Sequence, residues 1–225
     1  MSSIVWDRKK TRLQPLSVAI EMARRSAPEG TVIQGRAKTR KALDFSVILR
    51  LKSGLPTELL ALIATFCASE GIRKDTGIIT WLRWPDEVVA GREVVAATSF
   101  VQGENADGRW AILSFRINLG DVSRDGSTSL HDLLGVDVDP EMLVSKTLNS
   151  LSWMHSGWMR EMYPQVLARI SSMLENAGGR VAVERGRKAV PGVVRGVDEL
   201  GRLIVELDDR VQVPVVRRSD LLPLR

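Results

Sequence analysis

The chain has 225 residues, 44% hydrophobic and 26% charged, with a formal net charge of +5; these proportions suit a globular protein with a buried core and exclude disordered, collagen-like and coiled-coil classes. A single cysteine, Cys67, and two histidines far apart, His131 and His155, exclude a disulfide framework and lack metal-ligand spacing, so no metal site is expected. No apolar run approaches the about 18 residues that cross a bilayer and no secretory signal opens the chain, so the expectation is a cytoplasmic protein without membrane attachment.

Charge is unevenly placed: residues 1–54 carry 12 Lys/Arg against 4 Asp/Glu, and residues 55–175 carry 10 against 16. Trp6 beside Arg8, Lys9, Lys10 and Arg12 offers an aromatic and basic contact for nucleic acid, without any recognised nucleic-acid motif around it. Leu16, Ala19, Ile20 and Ala23 recur at the spacing of an amphipathic helix, with Arg24 and Arg25 at its carboxyl end. After a break at residues 28–30, residues 31–34 and 45–51 read as strands. The basic stretch between them, residues 35–42, reads either as a phosphate contact or as a solvated connection. Residues 56–70 read as a helix ending at Gly71, with Leu59, Leu60, Ile63, Ala64 and Cys67 on its apolar side and Cys67 a buried, inert thiol.

Strands are expected over residues 78–83, 93–101 and 110–119, forming an antiparallel meander. Asp139, Pro140 and Glu141 then make a helix start, with a cap, a proline at the first helical position and an acid in the first turn. Helix continues to about residue 176, interrupted at Pro164, and places Trp153, Trp158, Met154, Met159 and Met162 as helical core. Beyond the glycines at 178 and 179 the texture changes to short strands about ten residues apart, the pattern of a small β-barrel. The division expected is therefore residues 1–177 and 178–225, in an α+β protein.

Trp84-Pro85-Asp86-Glu87 followed by residues 91–96 resembles the Trp-Pro-Asn-Asp and Lys-Leu-Ala-Gly segments of the biotin protein ligase family, within the biotin and lipoate ligase superfamily. Pro28-Glu29-Gly30-Thr31-Val32 is similar to the stretch before that family's first strand, and Ile117-Asn118-Leu119 to its Gly-Ile-Asn-Val segment. Residues 192–206 are similar to its small SH3-like domain. The resemblance implies a ligase-like mixed sheet with helices, followed by an SH3-like C-terminal domain. It also implies an activity: ATP with Mg adenylates biotin or lipoate, and the acyl group passes to a lysine of a carrier protein. That chemistry needs a basic, glycine-rich loop over the adenylate and a strand-borne lysine to offset charge at the α-phosphate.

Both parts depart. Glu93 stands at the lysine position, with Arg92 as a possible replacement cation, and the loop keeps Arg36, Lys38 and Arg40 but one glycine, Gly35, and no tryptophan. Ala96 replaces the glycine after the lysine, and Ser17 is all that approaches the family's Ser-Thr-Asn segment. Ligand-binding candidates carried over are Arg36, Lys38, Arg40, Trp84 and Asn118; Trp84 and Asn118 read equally as packing and turn residues. Three readings follow: a noncatalytic relative binding a ligand or macromolecule, favoured by the charge reversal at Glu93; a divergent ATP-dependent ligase; and a nucleic-acid-binding module using the basic amino-terminal region. The oligomeric state stays open, and the ligase-like core is expected from about residue 13.

Overall fold

In the computed structural model, residues 4–35, 41–51, 58–122, 125–158, 163–186 and 188–222 are described. A seven-stranded sheet is assembled from β1 (Asp7–Thr11), β2 (Thr31–Gly35), β3 (Ala42–Arg50), β4 (Trp81–Arg83), β5 (Glu87–Ala90), β6 (Glu93–Asn105) and β7 (Gly108–Asn118). Its order is β1-β2-β3-β7-β6-β5-β4, antiparallel except for the parallel pair β1–β2. The helices are α1 (Pro15–Arg24), α2 (Glu58–Thr76), α3 (Leu130–Leu134), α4 (Pro140–Trp158) and α5 (Tyr163–Ser172). A five-stranded antiparallel sheet, β11-β10-β9-β8-β12, follows from β8 (Arg180–Arg185), β9 (Lys188–Val197), β10 (Leu203–Leu207), β11 (Gln212–Val215) and β12 (Leu221–Leu222), and forms the SH3-like part. The fold is α+β, as expected.

Alternation along the strands sorts side chains into two layers. Val32, Phe45, Val47, Leu49 and Leu113 face α2 and α4, and Phe45 stacks on Phe115 at 4.5 Å. Ile33, Ile48 and Ile112 face the other way, where Ala19 and Ala23, small and fully buried, let α1 sit close. Helix α2 buries residues around its circumference, including Leu59, Leu60, Leu62, Ile63, Phe66 and Cys67, as a helix enclosed on all sides must. Val194, Leu203, Val205 and Val215 of the second sheet join the α2 layer, so one apolar cluster runs through both sheets.

Several expectations are corrected. Helix α2 does not stop at Gly71: it runs to Thr76, and Gly77, with φ +77°, ends it by donating its N–H to the Arg73 carbonyl at 2.9 Å. Gly71 is instead a crossing point, since a Cβ there would overlap the Thr147 hydroxyl on α4 and come within 3.0 Å of its backbone nitrogen. The core begins before residue 13, because Asp7–Thr11 is an edge strand whose backbone pairs with β2 although its side chains are polar; charged side chains on an edge are the usual protection against further pairing. The segment joining the first two meander strands contains β5, and the short helix α3, capped by Ser129, was absent from the expectation. Trp153 is 51% exposed while Met154 is buried; the Trp158 side chain, Met159 and Met162 lie outside the described residues. No helix among the described residues is long and apolar enough to cross a membrane.

Candidate ligand-binding cleft

On the α1 face, β3, β7 and β6 present three aligned rows. Register pairs Ile48 with Ile112 and Ile112 with Val101; Ser46 with Ser114 and Ser114 with Ser99; Asp44 with Arg116 and Arg116 with Ala97. Each strand thus runs from apolar through hydroxyl-bearing towards more polar or smaller side chains. Helix α1 covers the first row and stops at Pro15, so the second and third rows remain open. The result is a cleft of about 340 Å³, rimmed by Gln14, Pro15 and Leu16 and floored by the two lower rows. Gly35, at the end of β2, passes so close that a Cβ would lie 3.3 Å from Pro15 Cγ and 3.2 Å from the Asp44 carbonyl oxygen. A glycine lets the strand end against the helix start.

Within the floor, the Ser46 and Ser114 hydroxyls are 2.8 Å apart. Arg116 Nη1 donates to Asp44 Oδ1 at 3.3 Å and Oδ2 at 3.4 Å. Burial raises the Asp44 carboxyl above its ordinary range, and the Arg116 charge opposes that rise.

Of the residues expected from sequence, the described ones do not line this cleft. Arg36, Lys38 and Arg40 lie outside the described residues. Trp84 is buried, and its Nε1–H donates to the Gly201 carbonyl at 2.9 Å, tying the main sheet to the second one. Asn118 Nδ2 donates to the carbonyls of Val94 (3.2 Å) and Thr128 (3.1 Å), which fastens a neighbouring loop to β6. Arg92 is not on a strand but in the two-residue turn between β5 and β6, where its carbonyl accepts from Arg83 Nη2 at 2.9 Å. Glu93 opens β6 as an exposed carboxylate and does not line the cleft. Ser17 is exposed on α1. Asp44, Ser46, Ala97, Ser99, Ser114 and Arg116 were missed; their signal was the shared drift from apolar to polar at alternate positions of three strands, visible only once the register is known.

A second cavity, about 280 Å³, lies where β4 meets the SH3-like sheet, lined by Leu82, Trp84, Leu174, Val194, Leu203 and Arg218 among others. Charged groups beside it are already engaged: Arg83 with Glu175 at 2.6 Å and Arg218 with Glu87 at 2.7 Å. Asp86 is raised by burial and by its neighbour Glu87, against the pull of Arg218. In the amino-terminal region Arg8 and Lys10 both pair with Glu141, Lys9 pairs with Asp7, and Trp6 Nε1 donates to Ser152 Oγ at 3.0 Å. Most of the cationic charge there is answered within the fold.

No group of three or more His, Cys, Asp or Glu among the described residues could hold a metal ion, and the cleft offers one cation, Arg116, already facing a carboxylate. Adenylation needs concentrated positive charge at the phosphates.

Residues 178–216 match the biotin protein ligase C terminal domain. The bifunctional ligase/repressor BirA of Bacillus subtilis is 24% identical over 217 residues, covering 86% of this chain and 67% of that protein. The apo structure of biotin protein ligase from Aquifex aeolicus superposes with a TM-score of 0.74 at 19% identity, over 99% of this chain and 98% of its own. A biotin protein ligase-like protein of unknown function from a Silicibacter species gives 0.76 at 14% identity, over 93% and 94%. Similarity thus runs through both sheets in chain order: the fold is that of the biotin protein ligases, and residues 178–216 match their carboxyl-terminal domain.

Proposed function

We propose that the protein is a noncatalytic relative of the biotin protein ligases that binds a small ligand in the cleft between the start of α1 and the open rows of β3, β7 and β6. The observation that carries this reading is the pairing of an accessible cleft with an exposed carboxylate, Glu93, at the position where the resemblance calls for a lysine. A scaffold can keep its binding surface after its reaction is lost, because function resides in the site. On this reading residues 1–177 form the ligand-binding unit and residues 178–225 brace it through the Trp84–Gly201 hydrogen bond and the Arg218–Glu87 ion pair. A nucleic-acid role through the amino-terminal region is disfavoured by the ion pairs of Arg8, Lys9 and Lys10.

Exchange of labelled pyrophosphate into ATP, with biotin or lipoate present, tests the noncatalytic part. None above background is expected. Robust exchange would establish instead a divergent ligase that uses ATP with Mg and supplies a carrier protein.

A further inference from the structure

The cavity where β4 meets the SH3-like sheet is walled by two cores at once. Leu82 and Trp84 enter from the β4 side, Leu174 from just beyond α5, and Val181, Leu203 and Leu221 from the second sheet. Protein interiors leave few cavities larger than a water, and an apolar cavity of about 150 Å³ suffices for benzene. The about 280 Å³ enclosed here is room for two fused rings. Two of the walls are flat and held in place. The Trp84 indole is fixed by its bond to the Gly201 carbonyl, and the Arg83 guanidinium by Glu175, with Nε donating to Oε2 at 2.6 Å and Nη2 to Oε1 at 2.8 Å. Oriented planes of this kind favour an aromatic ring over a saturated one. Charge argues against an ion. The described lining holds Arg83 and Arg218 and no carboxylate, which turns away a cation. Both guanidiniums are already answered, Arg83 by Glu175 and Arg218 by Glu87 at 2.7 Å, which leaves an anion little to gain. The exposed Asn176 side chain also lines the cavity and makes no hydrogen bond to any described residue, so its amide offers a donor and an acceptor.

We propose that this seam is a second binding site, for a neutral aromatic compound of two fused rings that carries one hydroxyl or N–H group. The rings lie against Trp84 and the leucines, and the polar group meets Asn176 at the mouth. The occupant touches both sheets, so it binds only while they are docked and thereby fastens one to the other. None of the residues lining this seam lines the cleft beside α1, and the proposal stands independently of that cleft.

The probes are 2-naphthol and decahydro-2-naphthol, which share a skeleton and a hydroxyl and differ in aromatic faces. Each is titrated into the full chain while amide resonances are followed by ¹H–¹⁵N NMR. 2-Naphthol is expected to shift residues 82–84, 174–176 and 203 and to bind about fivefold more tightly than its saturated counterpart. Asn176→Ala, at an exposed position, should lower 2-naphthol affinity about fivefold. Val181→Phe, which fills part of the cavity, should lower it about tenfold or more. Equal affinity for the two compounds would overturn the aromatic class, and unchanged affinity in both variants would overturn the site. Shifts confined to residues 97–99 and 114–116 would place the compound in the other cleft. Seam shifts that grow with protein concentration alone would assign the surface to a second copy of the chain. Either result overturns the proposal, as does a seam that neither compound moves.

Discussion

Gly71→Ala separates two opposed effects in the middle of α2. In an open helix the change stabilises by about 1 kcal/mol, through propensity. Here the added methyl meets the crossing with α4: it overlaps the Thr147 hydroxyl and lies 3.0 Å from the Thr147 nitrogen and 3.1 Å from its Cα. Backbone atoms of a packed helix cannot rotate away, so the two helices must separate, and overpacking of this kind costs about 1–3 kcal/mol. For an obstruction that includes backbone the upper half of that range applies, and the net loss is about 1–2 kcal/mol. Urea unfolding should show a lower midpoint at unchanged slope, and melting should drop by roughly 3–6 °C for a chain of this size. Thr147→Ala removes a buried hydroxyl that has no hydrogen-bond partner among the described residues together with a buried methyl, and should itself cost no more than about 1 kcal/mol. Combined with Gly71→Ala it should recover part of the loss, because the backbone contacts remain. A Gly71→Ala protein as stable as wild type, or a loss that Thr147→Ala does not relieve, would refute the close crossing.

Trp84→Phe keeps most of the buried ring but orphans the Gly201 carbonyl; about 1–2 kcal/mol of stability should be lost in urea unfolding. Glu93→Lys, at an exposed position, should change the unfolding free energy measured in urea by no more than about 0.5 kcal/mol. Glu141 is lowered from its ordinary 4.5, first by its hydrogen bond from Lys10 and further by Gln34 and the nearby cations. Its contribution is therefore complete above the unfolded-state value and disappears as pH falls through the lower folded one. Glu141→Gln should cost at most about 1 kcal/mol at pH 7, as the pairs are partly exposed, and melting curves of variant and wild type should converge below pH 4; a gap that widens in acid would reverse the assignment.

Much of the scaffold could be read from the chain because its periodicities are local. The 3–4 spacing of Leu16, Ala19, Ile20 and Ala23 gave α1, and Asp139-Pro140-Glu141 gave the start of α4 to the residue. Elements whose side chains carry no pattern escaped: Asp7–Thr11 is a strand only through backbone bonds to β2. Gly71 misled because a glycine late in a helix looks alike whether it ends the helix or admits a neighbour, and only the position of Thr147 distinguishes them. The site was less legible still. Trp84 and Asn118 drew attention by resemblance and proved to be ties, one to Gly201 and the other to Val94 and Thr128. The cleft floor joins residues 44–46, 97–99 and 114–116, which are unremarkable one by one and become a surface through register.

Pro15 acts as a boundary stone for that surface. A residue preceding proline is pushed out of the helical region, and Gln14 is extended, with φ −64° and ψ 124°, so α1 cannot grow toward its amino end. One further turn would advance the helix about 5.4 Å, close to the about 6.7 Å that separates one outward-facing row of a strand from the next. It would roof over Ser46, Ser114 and Ser99. The length of the cleft is thus set less by the floor than by where a single imino acid halts the ceiling, and drift at this one position offers evolution a way to lengthen or shut the chamber without disturbing a strand.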